Sequence, residues 1–206
     1  MSIMQPRIYL ASQSPRRREL LKQIGIRFEL LLLRTDSRRH ADVDEAPYPG
    51  EAPEVYVQRL SRGKAQVGFD ALQLRHLPPH PVLAADTTVT LDGKIFGKPQ
   101  HADQAATMLR ELSGREHQVL TAVAIAMGSH IEVLLSSSTV RFTKLSEARI
   151  HRYLQTHEYA DKAGGYAIQG QAGAFIEHIN GSYSGVMGLP LFETAQLLQR
   201  FNYPTP

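Results

Sequence analysis

Asp86 follows the apolar run Val82–Ala85 and precedes two threonines. A short apolar run of this kind predicts a buried strand that ends at the aspartate. Ligands of open α/β sheets bind at the carboxyl ends of strands, where such a carboxylate could bind a divalent cation or act as a general base. An isolated aspartate at this position is more often just a turn-forming residue, so its interpretation depends on the residues that accompany it.

The segment Ser12–Glu19 combines two serines, a proline and three consecutive arginines. The residues before it, Ile8–Ala11, predict a short buried strand, and Pro15 after an N-cap serine predicts the start of a helix. A helix N-terminus can bind an anion, and Arg16 and Arg17 could each bind phosphate oxygens through two hydrogen bonds. The spaced glycines of a P-loop are missing. The alternative is a capped surface helix with solvated arginines.

Two lysines and a glutamine extend the set of candidate ligand-binding residues. Lys64 lies on a predicted helix, and Lys98 precedes a proline that fixes the backbone after it. An ammonium group suits the β- and γ-phosphates of a nucleotide. Gln169 lies in the glycine-rich run Asp161–Gly170, and its amide could donate to and accept from the edge of a base. Solvated lysines and a simple tight loop are the alternatives.

The polar segment Arg34–Gly50 predicts a long loop with a cluster of acids at Asp42, Asp44 and Glu45. Carboxylates close to Asp86 would form an oxygen-rich site for Mg²⁺ or Mn²⁺. A loop of acids is also commonly just solvated. The nine histidines show no zinc-binding spacing such as His-Glu-x-x-His, so zinc is disfavoured.

Helical and strand patterns alternate along the chain, which predicts an α/β fold with a mixed sheet and flanking helices. The predicted strands are Ile8–Ala11, Phe28–Leu33, Val82–Ala85, a hairpin within Thr88–Phe96, Gln118–Met127 and Ile131–Phe142. The predicted helices follow Ser14 up to Gly25, run from Pro53 through Ala65, cover Ala102–Leu112, start after Ser146, and cover Leu191–Phe201. The segment Leu72–Pro81 is expected at the surface, and Asp161–Gly188 is expected to be irregular.

Bulk composition excludes several classes of protein. The chain has 206 residues, 42% of them hydrophobic, and a net charge of +3 without a dense Lys/Arg stripe, so we expect one domain over residues 1–206 and no nucleic-acid partner. The absence of cysteine excludes disulfides and thiolate chemistry. The apolar stretches are shorter than the roughly 20 residues of a membrane helix, and Met1–Leu10 lacks a signal pattern. A cytoplasmic location is therefore expected.

Taken together, these segments resemble the Maf family of nucleotide pyrophosphatases from about Ile8 to Phe201. The motifs that carry the resemblance are Leu10–Arg17, Ala85–Val89, Gly97–Pro99, Leu112–Gly114, Asp161–Gly164 with Ile168–Gly170, and Gly188–Pro190. The resemblance implies two lobes around a cleft, similar to inosine triphosphate pyrophosphatases, and a divalent metal cofactor, Mg²⁺ or Mn²⁺. It implies that Asp86 is the catalytic proton acceptor and a metal ligand with Glu45. It also implies that phosphates are bound by Ser12, Arg16, Arg17, Lys64 and Lys98.

The resemblance is to the family branch that hydrolyses dTTP and UTP, with Arg16, Thr87 and Gln169 at the positions linked to specificity. The alternatives are a 7-methyl-GTP pyrophosphatase of the same fold, and a nucleotide-binding inhibitor of septum formation without significant catalysis. One departure is Gly63, which stands where the family usually has glutamate before the helical lysine. If that glutamate helps to hold metal in relatives, either Asp44 or Glu45 must suffice here or activity is reduced. The expected partners are a nucleoside triphosphate, modified pyrimidine nucleotides included, and a second copy of the chain in a homodimer.

Overall fold

The computed structural model describes residues 7–33 and 43–205 of the chain. The strands are β1 (Ile8–Leu10), β2 (Phe28–Leu30), β3 (Val82–Leu91), β4 (Lys94–Phe96), β5 (Glu116–Met127), β6 (His130–Phe142) and β7 (Ile176–Asn180). The helices are α1 (Pro15–Gln23), α2 (Pro53–Leu74), α3 (Ala102–Leu112), α4 (Glu147–Leu154), α5 (Tyr183–Met187) and α6 (Leu191–Arg200). None of the helices in these residues is both long and apolar enough to cross a membrane.

The strands of the described residues form one mixed sheet in the order β2-β1-β3-β5-β6-β7, with β4 paired to β3. Strand β1 runs parallel to both β2 and β3, whereas the remaining pairs are antiparallel. Helices cover both faces of the sheet, as the buried side chains described below show. The predicted α/β class with a mixed sheet and flanking helices is confirmed.

The sequence predicted that this strand ends at Asp86. In the structure, β3 continues through Asp86 to Leu91. The continuation is stabilised by β5, which pairs with β3 from Val82 to Thr90. On the other edge, β3 pairs with β1 at Val82 and Leu83 and with β4 from Val89 to Leu91. Asp86 therefore lies between these two pairings, at the point where β1 leaves the sheet.

The two-residue period of β3 sends alternate side chains to different helices. Leu83 and Ala85 pack in a cluster with residues of α1 and α6, whereas Val82 and Ala84 pack in a cluster with residues of α2. Continuing the period, Asp86 faces α2 and the next residue, Thr87, faces α1. This alternation explains how one strand presents Asp86 and Thr87 to opposite faces of the sheet.

The hydrophobic core is divided along β3. Val89 and Leu91, near one end of the strand, belong to a cluster with α3, α4 and the 163–175 segment. The first residues of the strand pack with α1, α2 and α6 instead. Asp86 lies between these two parts of the core, which correspond to the two predicted lobes around a cleft.

Several local predictions need correction. The segment Asp161–Gly188, expected to be irregular, contains β7 and α5. Leu72, assigned to a surface segment, is 1% exposed and belongs to the last turns of α2. Helix α2 is longer than predicted because its apolar face continues through Phe69 to Leu72. In contrast, α3 has the predicted bounds, and Ser146 caps α4 by accepting a hydrogen bond from the backbone N–H of Arg149.

Two glycines of α2 are expected to respond in opposite directions to substitution by alanine. A Cβ at Gly68 would lie 2.8 Å from Cγ1 of buried Val82 and 3.3 Å from Cβ of Ala11, so G68A should overpack the helix–strand contact and lower the free energy of unfolding by about 1 kcal/mol or more. A Cβ at Gly63 would lie 3.5 Å from Val43, an ordinary contact. G63A should therefore raise the free energy of unfolding by about 0.5–1 kcal/mol through helix propensity. Urea unfolding of both variants tests the pair, and a G68A variant as stable as wild type would contradict this packing.

Candidate active site

A cleft of about 860 Å³ lies where β1 leaves the sheet. This volume is within the range of sites that bind small molecules and cofactors. All the site residues that the family resemblance implied line it: Ser12, Arg16, Arg17, Glu45, Lys64, Asp86, Thr87, Lys98 and Gln169. Asp44 lines the cleft as well, whereas Asp42 lies outside the described residues. The structure thus brings residues that are distant along the chain to one cavity.

The turn between β1 and α1 is organised by Ser12 rather than by the serine at the helix N-cap. Ser14 occupies the N-cap position and Pro15 follows it, as predicted, but the Ser14 side chain makes no capping hydrogen bond. Instead, the hydroxyl of Ser12 accepts hydrogen bonds from the backbone N–H of Ser14 at 3.2 Å and from Nη1 of Arg17 at 3.3 Å. Ser12 therefore ties the turn to an arginine of the cleft.

The two arginines of α1 are oriented by neutral acceptors. Arg17 donates from Nε to the carbonyl oxygen of Gly188 at 2.7 Å, and from Nη2 to the hydroxyl of Thr87 at 3.4 Å. Arg16 donates from Nε to the carbonyl oxygen of Met187 at 3.2 Å. Burial lowers the pKa of Arg17, an effect opposed by the nearby carboxylate of Asp86, and arginine stays protonated in proteins. Because neutral acceptors do not cancel their charge, both guanidinium groups can attract an anion.

Lys64 of α2 bridges the two candidate acids. Its Nζ lies 2.6 Å from Oδ1 of Asp86 and 2.7 Å from Oε1 of Glu45. The Lys64 and Asp86 side chains are only 16% and 12% exposed, whereas Glu45 is 47% exposed. The contact follows from the strand period described above, which points Asp86 towards α2. An ammonium group thus holds the loop acid and the strand acid together.

The pKa of Glu45 is governed by these cations. Burial raises this pKa, but the charge and hydrogen bond of Lys64, with weaker contributions from Lys98 and Arg17, outweigh burial and lower the pKa below its ordinary value. Glu45 is consequently ionised at neutral pH. The cluster therefore consists of carboxylates surrounded by cations, the charge pattern expected of a site that takes up further anionic groups together with a metal.

Thr87 is part of a network that sequence reasoning did not find. The hydroxyl oxygens of Thr87 and Thr121 lie 3.0 Å apart, and the Thr121 hydroxyl donates to the carbonyl oxygen of Gly185 at 2.8 Å. Thr121 is fully buried and lies opposite Thr87 in the register of β3 and β5. Thr121 therefore fixes the side chain of Thr87 and connects it to the segment that also binds Arg16 and Arg17.

Lys98, Lys162 and Gln169 also line the cleft. Lys98 and Gln169 are exposed, so their charged and amide groups are accessible to a ligand. Lys162 is partly buried in the cleft, and burial followed by the charge of Arg16 lowers its pKa. Lys162 belongs to the motif Asp161–Gly170, but the sequence predicted no role for it. Its position adds one more cation to the cleft.

The loop after Gln169 is fixed by Glu158. The carboxylate of Glu158 accepts hydrogen bonds from the backbone N–H groups of Gln171 and Ala172 at 2.8 and 3.2 Å. A Cβ at Gly170 would overlap this carboxylate. Glycine at position 170 therefore allows Glu158 to approach the loop that carries Gln169.

The residues present fit a divalent cation supported by few protein ligands. Among residues 7–33 and 43–205 there is no group of three or more His, Cys, Asp or Glu side chains placed to hold a metal. Glu45 and Asp86 nevertheless converge on one positive charge, the ammonium of Lys64. Mg²⁺ is commonly bound by one or two carboxylates, with substrate phosphates and water as further ligands. Oδ1 of the third acid, Asp44, already accepts a hydrogen bond from the backbone N–H of Ala46 at 2.9 Å.

Comparisons with known proteins agree over nearly the whole chain. The family model described as Maf-like protein matches residues 7–201. A protein of Aromatoleum aromaticum named dTTP/UTP pyrophosphatase is 58% identical over 99% of this chain and 100% of its own length. Proteins with the same name from Nitrosospira multiformis and Chromobacterium violaceum are 56% and 52% identical, over 97% and 100% of this chain and 96% and 100% of their own lengths.

A solved structure shares the fold at low sequence identity. The Ham1 protein of Staphylococcus aureus aligns over 95% of this chain and 97% of that chain, with a TM-score of 0.50 and 14% identity. At this identity the similarity extends to the fold alone. It agrees with the predicted α/β architecture.

Proposed function

The chain belongs to the Maf family, and on this premise we propose that its cleft hydrolyses dTTP and UTP to the nucleoside monophosphate and pyrophosphate. The observation that carries this proposal is the convergence of Asp86 with Arg16, Arg17, Lys64 and Lys98 on one cavity. An acid beside several cations matches the needs of a reaction in which water attacks a polyanion. The 50–58% identical relatives named dTTP/UTP pyrophosphatase support the choice of nucleotide.

In the proposed reaction, water attacks the α-phosphorus of the triphosphate. The carboxylate of Asp86 orients this water and accepts its proton, while Lys64 fixes the carboxylate through the 2.6 Å contact with Oδ1. The bond between the α-phosphorus and the bridging oxygen breaks, and that oxygen leaves with pyrophosphate. Fixed cations of the cleft compensate the charge that develops on the leaving group.

Phosphate binding is assigned to Arg16, Arg17 and Lys98. The carbonyl oxygens of Met187 and Gly188 orient the guanidinium groups of Arg16 and Arg17. Because these acceptors are neutral, the positive charge of both arginines can act on the phosphates. Lys98, exposed in the cleft, supplies a point charge. Ser12 supports this arrangement by accepting from Arg17.

A divalent cation, Mg²⁺ or Mn²⁺, is part of the proposal, with Glu45 and Asp86 as its protein ligands. When bound, such a cation neutralises phosphate charge and polarises the phosphoryl oxygens. The role of this chain is to keep both carboxylates adjacent, which Lys64 does by contacting both. With Gly63 in place of the usual glutamate, Glu45 is the acid expected to complete the site.

Recognition of a uracil or thymine edge is assigned to Gln169, with Arg16 and Thr87 at the neighbouring specificity positions. A neutral amide can donate and accept at once, as such an edge requires, whereas a carboxylate would favour a cationic methylated purine. The exposed position of Gln169 in the cleft supports this role.

A substrate panel tests the proposed function. The protein is incubated with dTTP, UTP, CTP and 7-methyl-GTP in the presence of Mg²⁺ or Mn²⁺, and the products are separated by ion-exchange chromatography. We expect UMP and dTMP with equimolar pyrophosphate, and slower turnover of the other two nucleotides. A strong preference for 7-methyl-GTP would contradict the assignment of Gln169. Binding of UTP without hydrolysis would support a non-catalytic regulator instead.

A substitution at the base-recognition position should shift this preference. We expect Q169E to lower kcat/KM for UTP by about 10-fold or more, because a carboxylate cannot donate to the pyrimidine edge and leaves a polar group unpaired. The same variant should lose much less activity towards 7-methyl-GTP. The ratio of the two kcat/KM values measures the shift, and Q73E, at an exposed glutamine near the end of α2, is the control. An unchanged ratio would remove Gln169 from recognition.

From the sequence we propose that the protein is cytoplasmic and assembles as a homodimer. We also propose that its partner is a nucleotide and not a nucleic acid or a membrane. Light scattering coupled to gel filtration tests the assembly, where a mass near 46 kDa, twice the 23.0 kDa of the chain, is expected for the dimer.

A further inference from the structure

Arg59 of α2 binds the loop that carries Glu45 at several points. Its Nε and Nη2 atoms donate to the two carboxylate oxygens of Glu51, both at 2.7 Å. Its guanidinium group also donates to the backbone carbonyl of Ala46 at 3.0 Å and to that of Asp44 at 3.4 Å. The last two carbonyls belong to the residues on either side of Glu45. One guanidinium group therefore holds the backbone on both sides of a site residue.

Two tyrosines add to the contacts of Arg59 with this loop. We call the set of Arg59, Glu51, Tyr48 and Tyr56 the clamp. The guanidinium carbon of Arg59 lies 4.0 Å from the ring centre of Tyr48, a cation–π distance. The hydroxyl of Tyr56, also on α2, donates to the backbone carbonyl of Glu45 at 3.0 Å. The carbonyl oxygens of residues 44, 45 and 46 are thus each bound by a side chain of α2.

Neighbouring groups cover most of the charged pair within the clamp. The Glu51 side chain is 5% exposed to solvent and that of Arg59 is 24% exposed. The hydrogen bonds from Arg59 lower the pKa of Glu51 to about 2, so the pair stays ionised throughout the pH range of ordinary enzyme assays. Tyr48 adds its backbone N–H to Oε2 of Glu51 at 3.0 Å. The loop is therefore fastened to the helix by both its main chain and its side chains.

The clamp shares its helix with the cation of the site. Arg59 and Lys64 are both on α2, and Lys64 contacts the side chain of Glu45 at 2.7 Å. Arg59 holds the Glu45 main chain, and Lys64 holds its carboxylate, from one rigid element. Since Asp86 is fixed by β3, the distance between the two acids is set by how firmly the loop is attached to α2.

We propose that Arg59 is a positioning residue for catalysis, which acts by fixing Glu45 next to Asp86. The proposal rests on the proposed function of the cleft. Lysine cannot replace arginine in this role, because one ammonium group cannot make the paired contact with Glu51 while also reaching two carbonyl groups. A purely structural tether is the competing explanation, and it predicts a general loss of stability that is independent of Glu45.

A double-mutant cycle separates the two explanations. The variants are R59K, E45Q and the R59K/E45Q double variant, and the matched control is R110K, because Arg110 makes an equivalent paired contact with Glu147 at 2.9 and 2.8 Å on the exposed surface between α3 and α4. We expect R59K to lower kcat for UTP by about 10-fold, since sub-ångström to 1 Å displacements in a site have effects of this order or larger. The double variant should be no slower than E45Q, because Arg59 has nothing left to position.

Activity alone would not separate failure of the clamp from failure of the proposed function, so amide hydrogen exchange is measured on the same proteins. Exchange of residues 43–51 should become faster in R59K and stay unchanged in R110K. The proposal is overturned if kcat of R59K stays within twofold of wild type, if the losses of R59K and E45Q multiply in the double variant, or if loop exchange does not change. An inactive wild-type protein would instead overturn the proposed function, and the exchange result would then decide whether the clamp exists.

Discussion

The D86N variant should lose about 10²–10⁴-fold in kcat for UTP, the range that a general acid–base residue contributes. Asparagine has nearly the shape of aspartate, and its amide oxygen can still accept a hydrogen bond from Lys64. It cannot take a proton from the attacking water. A steady-state assay of pyrophosphate release on purified D86N measures the loss.

The matched control for D86N is D92N. Asp92 lies in the turn after β3 and pairs with Arg115 at 2.6 Å on the exposed surface, away from the cleft. Its backbone has a positive φ of 52°, a conformation that asparagine adopts readily. D92N should keep wild-type activity. Wild-type turnover by D86N would show that another group activates the water.

The K64M variant should lose about 10²-fold or more in kcat/KM, because one preorganised donor in such a site is worth roughly this factor. Lys64 contacts both acids, and methionine retains the apolar stem but removes the charge. Asp86 and Glu45 would then face one another without the cation between them. The loss should appear for dTTP and UTP alike, since Lys64 is assigned to the phosphate end of the substrate and to the acids.

The pH dependence of K64M should also change, and in a fixed direction. In the wild-type protein, Lys64 is the main reason that the pKa of Glu45 is lowered. Without it, burial raises this pKa and only Lys98 and Arg17 oppose the effect, so the acid limb of the kcat/KM profile should move to higher pH. K94M is the control, because Lys94 forms an exposed ion pair with Glu111 at 2.7 Å. An unmoved acid limb in K64M would contradict the assigned coupling.

Much of the cleft could be predicted because its residues lie next to strong local signals. Asp86 follows an apolar run, and Arg16 and Arg17 follow a serine–proline turn, so sequence patterns place each of them at the edge of a predicted element. The resemblance to the Maf family then related these separate segments to a single site. The structure brings them to one cavity, as the sequence analysis expected.

The residues that sequence reasoning missed act through contacts that no local pattern encodes. Thr121 orients Thr87 only because the register of β5 against β3 places the two opposite each other. Arg59 resembles an ordinary solvated helix residue until the loop is folded back so that Glu51 and the backbone at position 46 meet it. The continuation of β3 past Asp86 likewise depends on β5, which lies far away in the sequence.

The position of bond cleavage shows which phosphorus the water attacks. If Asp86 directs water to the α-phosphorus, hydrolysis of UTP in water enriched in oxygen-18 should place the label in UMP. Mass spectrometry of both products, after complete hydrolysis and with unlabelled water as the reference, measures this. Label in UMP and none in pyrophosphate is the predicted result. Label in pyrophosphate would show attack at the β-phosphorus, and release of UDP with labelled phosphate would show attack at the γ-phosphorus; either result would rule out the proposed reaction.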